Sequence, residues 1–227
     1  MYKGNYIDFL RALGYRESGG RYNIENSYGY LGKYQMGESA LKDAGYYKGD
    51  PTRRNDWIGE WTGKDGVWSK EDFLNNPRAQ ENAIREFHRK SWKYIRLLGL
   101  DKYVGKRIGG ILITESGLLG GAHLLGAGNV KKFLKSNGRY IPRDGYGTPI
   151  TEYIKKFAGY DISEITGNSY YPYEINETTT DESDNNGYVW DMDSSSSYED
   201  GYSDDYQSDE EDYQKEEKEK SIWDLFF

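Results

Sequence analysis

The apolar positions near the N-terminus recur with the spacing of a helix. Intervals of three and four residues place one apolar set on a single helical face. The members of this set are Tyr6, Phe9, Leu10 and Leu13. Gly19 and Gly20 follow, and glycine adopts the left-handed conformation that ends helices at little steric cost. The pattern therefore predicts a short helix that ends just before Gly19.

The longest predicted helix begins at Pro77 and runs to about Leu98. Proline suits the first turn of a helix, because its missing N–H would have no intrahelical partner there. One side of the segment is apolar and the other is mainly basic, which is typical of a helix that packs against a core. His88 lies within this helix and is interpreted as a packed or surface residue rather than a catalyst.

Residues 108–126 are apolar on nearly every side, which predicts a buried helix. The many glycines of this segment allow neighbouring helices to approach closely. Those glycines, together with Glu115 and His123, argue against a membrane-spanning segment. Two shorter helices are expected to follow, over residues 129–137 and 150–157.

Glu17 occupies the C-terminal end of the first predicted helix. The backbone dipole at that end disfavours a negative charge. A carboxyl group in this position, next to tyrosines, is expected to hold its proton more tightly than a free one. A carboxylic acid that is protonated near neutral pH is what cleavage of a glycosidic bond requires. Glu17 is therefore the candidate catalytic acid.

The Glu-Ser-Gly sequence that begins at Glu17 and the Gly-x-x-Gln segment that ends at Gln35 resemble the lysozyme-like fold of lytic transglycosylases and goose-type lysozymes. The resemblance covers about residues 5–160. It implies a mainly α, lysozyme-like helical domain with long loops, in which Glu17 is the catalytic acid. It also implies that Gln35 and its neighbours line the sugar cleft. The candidate substrate-binding residues of this region are Ser18, Tyr34, Gln35 and Met36.

Two later segments extend the resemblance. Residues 122–126, Ala-His-Leu-Leu-Gly, resemble the Ala-Tyr-Asn-Ala-Gly segment of lytic transglycosylases. Leu124 replaces the asparagine, which bears on how the acetamido group of the substrate is held and on which product forms. Residues 152–154 resemble the late family helix that carries a cleft tyrosine near the acid. The resemblance therefore adds His123 and Tyr153 to the candidate substrate-binding residues.

A second Glu-Ser-Gly sequence begins at Glu115 and competes for the catalytic role. It lies within the apolar segment and has no Gly-x-x-Gln after it, so Glu17 is preferred and Glu115 is interpreted as a helix-end or core-network carboxylate. A second catalytic acid is not evident. The possible ones are Asp43, Asp50, Asp56 and Asp65. We expect a single-acid mechanism without a metal or cofactor, in which Glu17 acts first as acid and then as base.

Residues 46–69 contain several Gly, Asp and Pro breakers and predict a long loop. Five aromatic side chains lie in it: Tyr46, Tyr47, Trp57, Trp61 and Trp68. Aromatic rings next to a sugar site would stack on pyranose faces. They would equally well seal the core beneath a long loop, and both interpretations remain open. Residues 61–74 lack oxygen ligands where a calcium loop needs them, and Ser69 instead predicts the start of a helix.

Charge divides the chain into two unequal parts. Residues 174–227 carry 19 acidic and 3 basic side chains, whereas the first 173 residues carry 19 acidic and 27 basic ones. A basic body suits an anionic polymer such as peptidoglycan or nucleic acid. The basic residues are scattered and no nucleic-acid motif is recognised, so nucleic acid is the less favoured partner.

Composition predicts three parts of the chain. Residues 1–166 are expected to form the catalytic domain, and residues 167–220 a disordered acidic tail that has too few aliphatic residues to offset its ordering entropy. Residues 221–227 form an apolar tip with Trp223, Phe226 and Phe227. The tip is interpreted as a docking motif for a protein partner or as a segment that folds back on its own domain.

The chain has no cysteine, which excludes disulfides and thiolate chemistry but does not fix the compartment. Its first residues lack the apolar core of a signal peptide. We therefore expect synthesis in the cytoplasm without a signal peptide, and action in the bacterial cell wall or periplasm after export or injection. The expected activity is cleavage of the β-1,4 MurNAc-GlcNAc bond in peptidoglycan glycan strands. The alternative is a non-catalytic glycan-binding or structural component of a phage tail or secretion apparatus.

Overall fold

Helices dominate the backbone of the computed structural model, which describes residues 2–52 and 54–169. In chain order the elements are α1 (Tyr6–Ser18), α2 (Glu38–Asp43), α3 (Lys70–Leu74), α4 (Pro77–Leu97), β1 (Arg107–Ile108), β2 (Ile111–Leu112), α5 (Glu115–Lys135), α6 (Ile150–Lys156) and α7 (Ser163–Thr166). Short 3-10 turns lie at Lys64–Gly66 and Asp101–Tyr103. The predictions for the acidic tail from residue 170 onward and for the apolar tip fall outside the described residues.

Helix α1 has well-formed caps at both ends. The side chain of Asn5 accepts hydrogen bonds from the N–H groups of Ile7 and Asp8, while the Asp8 carboxylate accepts one from the N–H of Asn5. This reciprocal arrangement satisfies donors that would otherwise have no partner. Gly19 ends the helix in the left-handed conformation, at φ 67°. The predicted helix is confirmed, and Glu17 lies in its last turn.

The glycines of α5 allow α6 to lie very close to it. A Cβ atom on Gly117 would lie 2.7 Å from the carbonyl oxygen of Ile154, and one on Gly120 would lie 2.8 Å from the Cβ of Phe157. Real side chains do not tolerate such distances, so only glycine permits this packing. The prediction that these glycines admit a neighbouring helix is confirmed, and the close approach places α6 against the core.

The predicted helix over residues 108–126 is wrong in its first part. Strands β1 and β2 pair there as an antiparallel hairpin. Gly109 and Gly110 form its turn with φ values of 54° and 75°, the left-handed conformation that a tight two-residue hairpin turn requires. Helix α5 then begins after Thr114, whose side chain accepts a hydrogen bond from the N–H of Gly117. Glu115 is therefore the first residue of the helix and not an interior one.

Helix α5 is interrupted at Gly126, where the apolar helix was predicted to end. With φ 78° and ψ 161° this residue leaves helical geometry, and a second helical stretch follows it and runs to Lys135. The side-chain amide of Asn129 bonds the carbonyl of Leu125 across this kink at 2.9 Å. The predicted separate helix over residues 129–137 is thus confirmed as the stretch of α5 after Gly126, although that stretch ends at Lys135. Among the described helices, none has the length and apolar character that crossing a membrane requires.

Most aromatic residues of the long loop pack into the core. Tyr46, Tyr47 and Trp61 are buried, and Trp57 stacks on Trp61 with ring centroids 5.4 Å apart. These four rings close the apolar core beneath the loop, which supports the sealing interpretation for them. Trp68 differs, because its side chain is 70% exposed.

Candidate active site

Glu17 lies where three helices meet. Its side chain is only 14% exposed. Its Oε1 accepts a hydrogen bond of 2.5 Å from the hydroxyl of Tyr153 on α6 and lies 4.0 Å from Nε2 of His123 on α5. The structure therefore brings together three residues that the sequence predicted for the site, although Glu17 and Tyr153 are 136 positions apart in the chain.

Burial raises the pKa of Glu17, because a carboxylate loses its hydration when it leaves water. The hydrogen bond from Tyr153 and the positive charge of Arg16 act in the opposite direction, and the negative charge of Asp144 adds to the rise. The net pKa lies above the ordinary value. A raised pKa was expected from the helix dipole, but desolvation is its main cause.

His123 is a neutral neighbour of this acid. Burial lowers the pKa of His123 to about 4, with the backbone of Tyr34 opposing the shift. The imidazole is therefore uncharged at neutral pH, and its approach to Glu17 is not an ion pair. Behind it lies His88, also buried, with ring centroids 5.6 Å apart, and Nδ1 of His88 shares a hydrogen bond of 2.9 Å with the hydroxyl of Tyr6. His88 was predicted to be a packed or a surface residue, and the structure shows that it is packed in the core.

Tyr153 is held in place by its own neighbours. The guanidinium of Arg16 lies 5.5 Å from the centre of the Tyr153 ring and forms a salt bridge of 2.9 Å with Glu152. Burial and the nearby charge of Glu17 raise the pKa of Tyr153 well above its ordinary value. The hydroxyl therefore keeps its proton and remains a hydrogen-bond donor to Glu17.

Ser18 joins the end of α1 to the Gly-x-x-Gln loop. Its hydroxyl donates to the carbonyls of Lys33 at 2.8 Å and Gly14 at 3.2 Å. Gln35 lies half-buried in this loop with φ 46°, and its side-chain amide donates to the carbonyl of Gly32 at 2.9 Å. Both side chains thus make contacts that shape the loop next to Glu17.

Tyr34 and Met36 are buried and anchor the same loop to α4. The hydroxyl of Tyr34 reaches both carboxylate oxygens of Glu81, at 2.9 and 2.8 Å. Lys33 pairs with that carboxylate at 2.6 Å, and Tyr22 donates to it at 2.8 Å. Sequence reasoning did not single out Glu81. The sequence feature that could have indicated Glu81 is its acidic side chain among the mainly basic residues on the polar side of the α4 segment.

Asp144 is a further residue near the acid that sequence reasoning missed. Its negative charge raises the pKa of both Glu17 and Tyr153. Its Oδ1 accepts hydrogen bonds from the N–H groups of Tyr146 and Thr148, so this oxygen shapes the turn before α6. The Asp-Gly pair in a turn was visible in the sequence, but its closeness to Glu17 was not.

The four aspartates considered as second acids make other contacts. Tyr46 donates to Asp65, Tyr47 donates to Asp50, Thr52 donates to Asp56, and Tyr94 donates to Asp43. The carboxylate of Glu115 accepts hydrogen bonds from Thr166 and Asn168, as suits a helix-end network.

Across residues 2–52 and 54–169, one group of carboxylates is close enough to hold a cation. Oxygens of Glu38, Asp50 and Asp56 lie within 4.8 Å of one another. Burial, with help from Asp50, raises the pKa of Glu38 to about 7. The N–H of Trp57 donates to Glu38 at 2.5 Å, and the hydroxyl of Tyr47 donates to Asp50 at 3.1 Å. Glu38 and Asp50 thus each have a protein hydrogen-bond donor within this group.

Comparison of the chain with protein-family models, with curated proteins and with solved structures found no match. The residues around Glu17 therefore carry the functional inference by themselves. Together they provide a proton donor of raised pKa, a tyrosine hydroxyl that stabilises its conjugate base, and a neutral imidazole. This combination suits proton transfer to and from a substrate oxygen.

Proposed function

We propose that this chain degrades peptidoglycan by cleaving the β-1,4 MurNAc-GlcNAc bond, with Glu17 as the acid. We also propose the lysozyme-like fold of lytic transglycosylases and goose-type lysozymes for the helical domain. One observation supports the proposal most strongly. A mostly buried glutamic acid of raised pKa receives a hydrogen bond from Tyr153, the residue that the resemblance assigns to the cleft next to the acid.

The mechanism has two proton transfers at one carboxyl group. Glu17 first protonates the leaving glycosidic oxygen, and positive charge develops on the sugar ring. The resulting carboxylate then removes a proton from the C6 hydroxyl, which gives a 1,6-anhydro product, or from water, which gives hydrolysis. The hydroxyl of Tyr153 stabilises this carboxylate between the two steps, because it donates a hydrogen bond to Oε1.

The alternative function is a glycan-binding or structural component that does not cut its ligand. Leu124 favours it, because this partly buried apolar residue occupies the place of the family asparagine that contacts the substrate. The raised pKa of Glu17 favours the enzyme, since a binding protein has no need of a protonated carboxyl group. We therefore keep the enzyme as the main proposal.

The place of action is part of the same proposal. The protein would meet its substrate in the bacterial wall or periplasm after export or injection by a phage or secretion system. A protein partner would bind the acidic tail and the apolar tip at residues 221–227. Nucleic acid is the less favoured ligand of the basic part of the chain, residues 1–173.

Turnover of purified sacculi by the wild type and by Glu17→Gln tests the proposal. Glutamine keeps the size of the side chain but cannot transfer the proton, so clearing of turbidity should fall by roughly 10²–10⁴-fold. The matched control is Glu115→Gln, which removes the carboxyl group of the other Glu-Ser-Gly sequence and should keep activity. Mass spectrometry of the released muropeptides identifies the product. Retained activity in folded Glu17→Gln would contradict the proposal.

A further inference from the structure

Two exposed tyrosines from separate loops meet on the surface. Tyr28 belongs to the loop over residues 26–30 and is 50% exposed, and Tyr146 belongs to the turn over residues 142–148 and is 60% exposed. Their ring centroids are 4.7 Å apart with an interplanar angle of 82°. We call these two side chains the tyrosine pair. Together they present a ring face and a ring edge to solvent at one place.

Each ring of the tyrosine pair is held by the opposite loop. The hydroxyl of Tyr28 donates to the carbonyl of Gly145 at 3.3 Å. The hydroxyl of Tyr146 shares a hydrogen bond of 3.0 Å with Oγ of Ser27. Because both hydroxyls are engaged, the rings keep one orientation although they are exposed.

The backbone of both loops is also fixed near the tyrosines. The side chain of Asn26 accepts a hydrogen bond from the N–H of Tyr28 at 2.9 Å, and that of Asp144 accepts one from the N–H of Tyr146 at 3.0 Å. Ordering a mobile side chain costs binding free energy, and most of that cost is avoided when a ring is already held. The tyrosine pair is thus a preorganised aromatic surface.

Each loop is followed in the chain by a segment of the candidate active site. The turn that contains Tyr146 runs directly into α6, which carries Tyr153, and Asp144 in this turn raises the pKa of Glu17. The loop that contains Tyr28 is followed by the Gly-x-x-Gln segment, which Ser18 ties to the end of α1. The tyrosine pair therefore lies on two loops whose next segments contain residues that contact Glu17 or the end of α1.

We propose that the tyrosine pair is a carbohydrate subsite that stacks one N-acetylamino-sugar ring of the glycan strand close to Glu17. The inference rests on the proposed function and names a binding site for the same substrate. Tyrosine offers an apolar face to the C–H groups of a pyranose and a large contact area at low entropic cost. Nucleobases stack on tyrosine as well, but the carboxylate of Asp144, in the same turn as Tyr146, would repel their phosphates.

Binding to chitohexaose and to sacculi tests the subsite in the Glu17→Gln background, where cleavage does not interfere. Tyr28→Ala and Tyr146→Ala should each weaken binding by about threefold to tenfold, as the loss of one aromatic contact predicts. Tyr28→Phe and Tyr146→Phe keep the rings but lose the hydroxyl contacts that hold them, so each should weaken binding less than the corresponding alanine variant. The matched control is Tyr15→Ala, because Tyr15 is 77% exposed on α1 but belongs to neither loop.

Kinetics in the otherwise wild-type chain provide a second readout. The alanine variants should raise KM for sacculi by a similar factor and leave kcat within about twofold, since stacking is the same in ground and transition states. Unchanged binding by both alanine variants, while the wild type still clears sacculi, overturns the subsite and leaves the proposed function standing. An oligonucleotide that binds through the tyrosine pair while chitohexaose does not overturns the sugar assignment. Loss of turnover in Glu115→Gln but not in Glu17→Gln contradicts the proposed function instead.

Discussion

The hydroxyl of Tyr153 donates a hydrogen bond of 2.5 Å to Oε1 of Glu17. This contact lowers the pKa of Glu17, in opposition to the larger effect of burial. Burial and the hydrogen bond thus shift the pKa of Glu17 in opposite directions. Burial keeps its proton available for the leaving group, and the tyrosine keeps the carboxylate stable enough to act as a base afterwards.

The first prediction concerns the pH profile of Tyr153→Phe. Without the hydroxyl, the carboxylate of Glu17 loses a stabilising donor and its pKa rises further. A general acid must be protonated to act, so the rate should persist to higher pH than in the wild type. The profile of kcat/KM on sacculi against pH measures the shift, with Tyr140→Phe, a half-exposed tyrosine, as the control. An alkaline limb that stays in place or moves to lower pH would show that the hydrogen bond does not tune Glu17.

The second prediction concerns Glu81, which anchors the Gly-x-x-Gln loop. Its Oε1 accepts hydrogen bonds from Lys33, Tyr22 and Tyr34, and Glu81→Gln keeps one acceptor oxygen for these donors but removes the negative charge that they surround. The free energy of unfolding should fall by about 2–3 kcal/mol, because a buried tyrosine hydroxyl loses its charged partner. Urea denaturation measures the change.

The matched control for this variant lies on the same helix. Glu86 pairs with Arg89 at an exposed i,i+3 position, so Glu86→Gln should cost about 0.5 kcal/mol or less. Equal losses in Glu81→Gln and Glu86→Gln would mean that the loop does not depend on the partly buried carboxylate of Glu81.

The third prediction concerns stability in mild acid. The pKa of His123 in the folded chain is about 4, below the value near 6.5 that an unfolded histidine has. Between these values the unfolded state binds a proton that the folded state does not, so stability falls as pH falls through this window. His123 alone should account for about 3 kcal/mol at pH 4 relative to neutral pH.

The variant His123→Gln isolates this contribution. It cannot take up the proton, so its free energy of unfolding should depend less on pH between 6.5 and 4 than that of the wild type. Denaturant titrations at several pH values give both curves, and the carboxylates contribute equally to each. Parallel curves would show that His123 is not buried in its neutral form.

The fourth prediction concerns the close approach of α5 and α6. The Cβ of Gly120→Ala would lie 2.8 Å from the Cβ of Phe157, so the two helices must move apart. Overpacking of this kind should cost about 1–3 kcal/mol of stability. It should also reduce turnover, since α6 carries Tyr153.

A second substitution separates overpacking from other effects of the alanine. Phe157→Ala keeps the Cβ but removes the Cδ2 and Cγ, which would lie 2.9 and 3.1 Å from the new atom, so the loss in the double variant should be smaller than the sum of the single losses. Thermal unfolding of the four chains measures this coupling. Strict additivity would contradict the steric explanation.

Local patterns were sufficient for several elements of this chain. The apolar spacing and Gly19 predicted α1, Pro77 predicted the start of α4, and Ser69 predicted the cap of α3. These features depend on side chains and backbone within a few residues, and such interactions are the same in any tertiary context. The position of Glu17 in the last turn of a helix was predictable for the same reason.

The hairpin was not predictable from apolar periodicity. A short apolar run is compatible with a buried helix and with a strand, and in this chain the turn at Gly109 and Gly110 decides between them. Gly126 was predicted to end the apolar helix, and the backbone leaves helical geometry at this residue.

The sequence by itself determined that a carboxyl group ends the first helix, and a family motif indicated which residues to examine around it. Only the tertiary structure decided that Tyr153 contacts this group, that Asp144 lies near it, and that Tyr28 meets Tyr146. The reason is physical. An apolar pattern records which side of an element faces the core, whereas the element packed against that side is selected by shape and close approach across more than a hundred residues of chain.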